Sequence, residues 1–409
     1  MKNFSYLCSI STLKQHKMLQ KIFSNLLFKV IIAILLGILF GQFFPEWFNR
    51  IFATFNGLFS QFLSFSIPLI IMGLIMPAIA DLGKNAGKLL LITIGITYTS
   101  TFFSGFATYW VSDAIFPDLI QHTEGITENN TTYPELLPFF TVPIPPVIDV
   151  MAALVLAFMI GLGLSFKKEA ILVQVVKDFQ EIIIKVIERV IVPLLPIFIL
   201  GIFSQMTFNG KVYTILSVFL KIVGIIFLMH IVLLLIQYLV AAAIAKRNPF
   251  KALLTMMPAY FTALGTQSSA ATIPVTLKQV QANGVSPDIA GFVVPLCATI
   301  HLAGSIMKIV ACAIALMIIQ QIPYDFELIV GFILMLGIVM VAAPGVPGGA
   351  IMAAVGVLQT ILGFDQQQVA LMITLYIAMD SFGTACNVTG DGAIALIIDK
   401  IYKKRTTHN

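Results

Sequence analysis

The sequence predicts an all-α polytopic membrane protein of eight transmembrane helices and two re-entrant helical hairpins. Three observations carry this. First, 59% of the 409 residues are hydrophobic and 11% are charged, with a mean hydropathy of +0.98, whereas soluble globular chains are about 45–50% apolar. Second, the apolar runs extend for roughly twenty residues or more and carry Gly and Pro freely, as membrane helices do and the alternating strands of an outer-membrane barrel do not. Third, two apolar runs, Ala252 to Ala282 and Leu328 to Leu362, are broken in the middle by Gly, Pro and Ser. A direct span would expose unpaired backbone to lipid there, while a hairpin that enters and leaves on one side keeps the break inside the protein.

The same composition excludes other classes. The net charge of +5 comes from Lys and Arg gathered in short loops, a topological signal rather than a nucleic-acid-binding face. Cys8, Cys297, Cys312 and Cys386 have no CxxC spacing, so neither a disulfide framework nor a zinc site is expected. No nucleophile stands beside a base and no metal-ligand cluster occurs, so an enzyme is not expected.

In chain order, residues 1–21 carry lysines without an apolar stretch ending in a cleavage motif and read as a cytoplasmic tail. The first span is Ile22–Phe44, where GILFG allows close helix contact, and the second is Leu58–Ala80. The third, Leu89–Val111, holds the hydroxyls of Thr97 to Thr101, which can bond back to their own helix. Residues 113–146 form an acidic, proline-rich loop outside the membrane, with glycosylation sequons at Asn129 and Asn130. Spans four, five and six follow at Val147–Phe166, Val175–Phe203 and Val212–Ala245. The fifth opens on an amphipathic turn, KDFQEIIIKVIER, that suits an interface. This count places DLGKNAGK, SFKKEA, AKRNPFK and the C-terminal KIYKKR on one side, so the positive-inside rule puts both termini in the cytoplasm of a cell (inner or plasma) membrane protein.

The first hairpin occupies 249–283, with its tip near Ser268 and Ser269, and the second 325–362, with its tip at Pro344 to Gly349. Between them the seventh span, 289–322, is interrupted by CATIHLAGS, and the eighth covers 366–403. Hairpin and broken helix repeated twice make an inverted repeat around a midplane site. The eighth span supplies the polar groups: steps of four, three and four residues place Asp380, Thr384, Asn387 and Asp391 on one stripe facing a common cavity. Bare carboxylates at membrane depth cost several kcal/mol unless something binds them. Thr389 reads as helix packing, Asp325 and Glu327 as helix-start acids, and Asp399 as a surface ion-pair partner of nearby lysines.

SSAATIPVT in the first hairpin, GVPGGAIM in the second and D-x-x-G-T-x-x-NVTGD in the last span resemble, in this order, the dicarboxylate/amino acid:cation symporters, the glutamate transporter homologues. The resemblance covers Ile22 to Lys404. It implies a homotrimeric elevator, with scaffold helices at 22–82 and 147–207 and a moving domain made of 86–112, 212–246, both hairpins and the last two spans. It implies symport of an amino acid or dicarboxylate with Na+ and/or H+, and no other cofactor. Asp380 falls where amino-acid-transporting members hold the substrate ammonium, and Thr384 and Asn387 where they contact substrate. The backbone around Ser268, Ser269, Val346 and Gly348 falls where its carboxylate is taken. Asn387 and Asp391 match one Na+ site, and Thr99 and Ser100 match the hydroxyl ligands of another.

Several positions depart from the family pattern. Gly383 stands where acidic-substrate members place an arginine that grips the side-chain carboxylate. A small neutral amino acid is therefore the expected substrate. The alternatives are an acidic amino acid or C4-dicarboxylate symporter using Lys308 or Arg189 instead, and a decoupled passive channel or sensor. The family's Asn-Met-Asp-Gly-Thr reads His301, Leu302, Ala303, Gly304 and Ser305, which removes an aspartate ligand. The second hairpin tip is one residue shorter than usual, with Pro344 added. His301 is either a proton carrier or a partner for a carbonyl of the broken helix. Lys308 is either a tethered cation near Asp391 or a side chain that snorkels or faces a water-filled gap. Asp380 is expected to have no fixed cationic neighbour.

Overall fold

The computed structural model describes residues 26–84, 88–124, 136–166, 171–210, 212–340, 343 and 347–406. The tail at 1–21, the asparagines at 129 and 130, and Val346 lie outside the described residues. Among the described residues every regular element is a helix. These are α1 (Leu26–Phe43), α2 (Glu46–Lys84), α3 (Lys88–Glu124), α4 (Val150–Ser165), α5 (Ile171–Val186), a π turn at Ile187–Ile191, α6 (Val192–Phe208), α7 (Val212–Ala245) and α8 (Pro249–Thr255). They continue with α9 (Met257–Thr266), α10 (Ser269–Ala282), α11 (Pro287–Ile300), α12 (Ala303–Ile319), α13 (Phe326–Met340), α14 (Gly349–Thr360), α15 (Gln366–Ala378) and α16 (Asp380–Thr406).

Six helical segments among the described residues are long and apolar enough to cross a membrane. They overlap the expected spans two, three, five, six, seven and eight, the last of them only from Asp380 onward, while α1 and α4, expected as spans one and four, are described over 18 and 16 residues. Two helices outrun their expected ends. α2 begins at Glu46 rather than Leu58 because its added turns bury polar groups that find partners: Asn49 Nδ2 donates to Phe44 O at 3.0 Å, and Ser204 Oγ donates to Asn49 Oδ1. α3 continues to Glu124, into the stretch expected as loop, because Phe116 and Ile120 are buried there. Pro117 sits inside this helix without ending it.

The helices pack in two groups. In the first, α1 lies along α6 and α2 along α4, α5 and α6. Gly37 and Gly41 make the α1–α6 approach possible, since a Cβ at Gly37 would meet Leu200 O at 2.5 Å. Small residues let membrane helices close in this way. In the second group α16 is the axis, touched by α3, α7, α9, α10, α11, α12 and α15. α14 meets α2 and α4, and α15 meets α1 and α6, so these helices join the groups.

The described residues of the Gly/Pro/Ser breaks lie at helix junctions of the second group. α9 turns into α10 through Gln267, in the left-handed conformation at φ 54°, and Ser268, whose Oγ caps α10 by accepting from Ala271 N at 3.2 Å. The α13–α14 turn ends at Gly348, at φ 74°, a conformation that suits glycine. α11 gives way to α12 at His301 and Leu302, and α15 to α16 at Met379. Each arm of a hairpin packs on its partner.

Candidate functional site

The site forms where four helix starts converge. Ser269 opens α10, Ser305 lies in the first turn of α12, Ala350 in that of α14, and Asp380 begins α16; all four line one cavity with Gln267, Tyr376, Thr384 and Asn387. Helix N-termini present backbone N–H groups and positive dipole ends, which favour an anionic group. The cavity's free space is about 20 Å³, enough for a water molecule. Both hairpin tips are tied to the first turn of α16. Gln267 Nε2 donates to Ser381 Oγ at 2.8 Å, and Gly348 N donates to Asp380 Oδ2 at 2.8 Å.

The stripe on α16 divides between two places. Asp380, Thr384 and Asn387 face the cavity, whereas Asp391 lies outside its lining and meets His301, with Nδ1 and Oδ1 2.9 Å apart. Asn387 braces the broken span: its Oδ1 accepts from Gly304 N at 2.7 Å and its Nδ2 donates to Ser305 Oγ at 3.0 Å. Tyr376 OH donates to the same Ser305 hydroxyl at 3.1 Å. Thr389 is buried, and its backbone carbonyl accepts from Tyr238 OH at 2.8 Å.

Three expectations are corrected here. Lys308 does not approach Asp391, snorkel or face an open gap. It is fully buried, with Nζ 3.1 Å from Asp380 Oδ1 and 3.7 Å from the centre of the Tyr376 ring. Asp380 accordingly has the fixed cationic neighbour it was expected to lack. Seven residues along a helix fix a face but not which turn of a neighbouring helix that face meets, and α12 crosses α16 so that Lys308 arrives beside Gly383. His301, in turn, bonds no carbonyl of the broken helix through its side chain. With Nδ1–H donating to Asp391, its Nε2 accepts from the Ser100 hydroxyl, 3.1 Å away, which itself accepts from Gln237 Nε2 at 2.9 Å.

The remaining expected residues are spread more widely. Ser100 joins the His301 chain, but Thr99 is exposed and its hydroxyl donates to Gly95 O on its own helix at 2.7 Å. The two hydroxyls expected at a second cation site are thus not brought together. Arg189 is exposed on the π turn. Asp399 accepts from Ser286 N at 3.0 Å and from Ser286 Oγ at 2.6 Å at the start of α11, besides pairing with Lys403 Nζ at 2.7 Å. Asp325 caps α13 through Leu328 N at 2.8 Å.

Sequence reasoning passed over Gln237 and His230 on α7. Their spacing of seven places both on one helix face, and polar residues in so apolar a run were themselves a signal. His230 Nε2 donates to Gly304 O at 3.1 Å, so α7 helps hold the α11–α12 break. Asp391 Oδ2 is buried without a hydrogen-bond partner among the described residues. It is the oxygen open to a cation beside the imidazole, so Asp391 fits a monovalent cation better than Asn387, whose amide is already engaged on both sides.

Helices of membrane length enclosing a polar cavity at converging helix starts define an integral membrane protein with a buried polar cavity. The model of the sodium:dicarboxylate symporter family matches residues 26–401, and the chain belongs to that family of transporters. It is 26% identical over 365 residues to the serine/threonine transporter SstT of Acinetobacter baumannii, covering 84% of this chain and 89% of that protein. It is 32% identical over 181 residues to excitatory amino acid transporter 1 of Rattus norvegicus, covering 44% of this chain and 32% of that protein. With excitatory amino acid transporter 2 of Homo sapiens the identity is 26% over 256 residues, or 61% and 44% of the two chains.

Proposed function

We propose that this protein accumulates a small neutral amino acid by symport with a cation, Na+ and/or H+. The observation that carries the reading is the cavity between the two hairpin tips, where Asp380, Thr384 and Asn387 face the starts of α10, α12 and α14. A zwitterion suits such a place: Asp380 offers a partner for the ammonium, and the helix-start amides near Ser268, Ser269 and Gly348 offer donors for the carboxylate. Gly383 adds no second cation from α16. The similarity to a serine/threonine transporter over most of both chains supports a neutral substrate.

In this reading Asp391 takes the coupling cation, and His301 shares the charge change at that carboxylate. The protein works as a homotrimeric elevator of eight spans and two re-entrant hairpins. The first helix group, α1, α2 and α4 to α6, is the fixed scaffold, and α3 and α7 to α16 move. The separation of the packing into two groups supports that division. Both termini face the cytoplasm. Coupling is a difference in binding free energy between open and closed states, and no covalent chemistry is required.

Purified protein reconstituted in liposomes tests this. Radiolabelled L-serine, L-alanine or L-threonine is expected to accumulate against its gradient when an inward Na+ or proton gradient is imposed. Uptake that ignores both gradients overturns the symport reading. The acidic-substrate alternative rests on Lys308, whose ammonium fills the side-chain space missing at Gly383. Competition by L-aspartate or succinate at least as strong as by L-serine favours it.

A further inference from the structure

We infer that Lys308 and Asp380 act as a unit that sets the net charge of the accepted ligand at zero, with Gly383 as the space that lets Lys308 reach its place. This rests on the reading that the cavity binds an amino acid, and it names the residue outside the cavity wall that decides which kind.

The geometry is that of an interlocked triple. Asp380 is the one carboxylate among the residues lining the cavity. Its Oδ1 is 3.1 Å from Lys308 Nζ, and its Oδ2 accepts from Gly348 N at 2.8 Å. Lys308 stands behind this carboxylate, outside the lining, and is fully buried. Its ammonium is further held by the Tyr376 ring, at 3.7 Å to the centroid, and by Met379 O at 3.5 Å. A Cβ on residue 383 would lie 2.5 Å from Lys308 Nζ and 3.0 Å from its Cδ. Any side chain at position 383 therefore competes with Lys308 for the same volume.

Charge balance gives this triple its consequence. Of the other buried ionisable groups nearby, His301 faces Asp391, His230 is held by Gly304 O, the Tyr376 hydroxyl donates to Ser305, and Cys312 and Cys386 are free thiols. Asp380 alone would present one uncompensated negative charge to a ligand; with Lys308 behind it the local sum is zero. In a medium this poor in water an extra unit charge on the ligand has nothing to offset it. A zwitterion adds none. Its ammonium shares Asp380 with Lys308, and its carboxylate meets the hairpin amides under the field of the same ammonium. Lys308 is thus a positioning residue that acts through Asp380. It differs in role from an arginine reaching into the cavity, because its charge is already matched.

The test is a change in ranking by ligand charge, which loss of packing alone would not produce. Uptake of radiolabelled L-alanine into proteoliposomes is competed by L-alanine, L-aspartate and L-alaninamide, at about pH 6 where an α-amine is protonated. Wild type is expected to favour L-alanine over both charged analogues. Asp380→Asn should shift the ratio toward L-aspartate by about tenfold or more, and Lys308→Met should shift it toward L-alaninamide by about as much, each corresponding to a desolvated unit charge. The double variant Lys308→Met/Asp380→Asn removes both charges and should return the wild-type ranking. If either single variant fails to fold, the double variant and Lys308→Arg carry the test, since both are expected to keep the wild-type order. Single variants that retain that order, or a double variant that ranks L-aspartate first, overturn the inference. Wild type that takes up none of these amino acids fails earlier and sinks the substrate reading itself.

Discussion

α16 and α7 are both long enough to span a bilayer, yet they bury themselves in opposite measure. The membrane-length windows of α16 and of α11–α12 are 94% and 89% buried, while those of α7 and α3 are 39% and 33% buried. The more deeply buried α16 carries Asp380, Thr384, Asn387 and Asp391, whereas α7 is an almost unbroken apolar run that exposes Leu220, Leu228 and Leu239. A protein in water would order these helices the other way. Lipid tails are as apolar as leucine, so apolar surface gains little by leaving them, and it is the polar helix that must be enclosed and paired.

The comparison can be broken most sharply at its charged centre. Lys308→Ala leaves the Asp380 carboxylate buried with Gly348 N as a donor but without its cation. Loss of one partner from such a pair costs about 3–5 kcal/mol. Unfolding in detergent should show that loss, and Lys308→Ala/Asp380→Ala should recover most of it. A double variant as unstable as the single one would mean the two charges do not depend on each other.

A smaller effect, about 1–3 kcal/mol, is expected from Gly383→Ala, which overpacks the space Lys308 fills. Gly331→Ala on α13 is its control, because a Cβ there meets nothing within 4 Å among the described residues. It should leave stability unchanged or raise it slightly, as alanine is the better helix former. Next in order, Asp399→Ala removes the carboxylate that accepts from Ser286 at the start of α11. A cost of about 1 kcal/mol is expected, as for other lost helix caps, with substrate ranking unaltered. Smallest of all is Leu220→Ala, on the exposed face of α7. Its unfolding midpoint should stay within the range of surface substitutions, about 0.5 kcal/mol. A large loss there would show that this face is covered by another subunit rather than by lipid.

Much of the fold could be read before any coordinates. The apolar runs, the Gly/Pro/Ser interruptions and the GILFG contact are local features, each imposed by backbone satisfaction in lipid or by helix-to-helix distance. α2 and α3 run past the ends their apolar stretches suggest, because Asn49 is held by the distant Ser204 and Phe116 by burial that no local window reveals. The polar stripe on α16 was legible as a stripe, since its period is a property of one helix. Its division was not: Asp391 went to His301 and Asp380 to Lys308, and that choice depends on how far α12 is translated along α16.

Gly383 marks the boundary between the two kinds of knowledge. The sequence by itself determined that this chain is a helical membrane protein with an uncommon pair of intramembrane carboxylates, and that position 383 has no side chain. Periodicity and the cost of burying charge suffice for that. Only the tertiary structure decided that the empty position is filled, by a lysine 75 residues earlier in the chain whose ammonium reaches Asp380. The register between two helices is set by the packing of their whole length, and no short stretch of either encodes it.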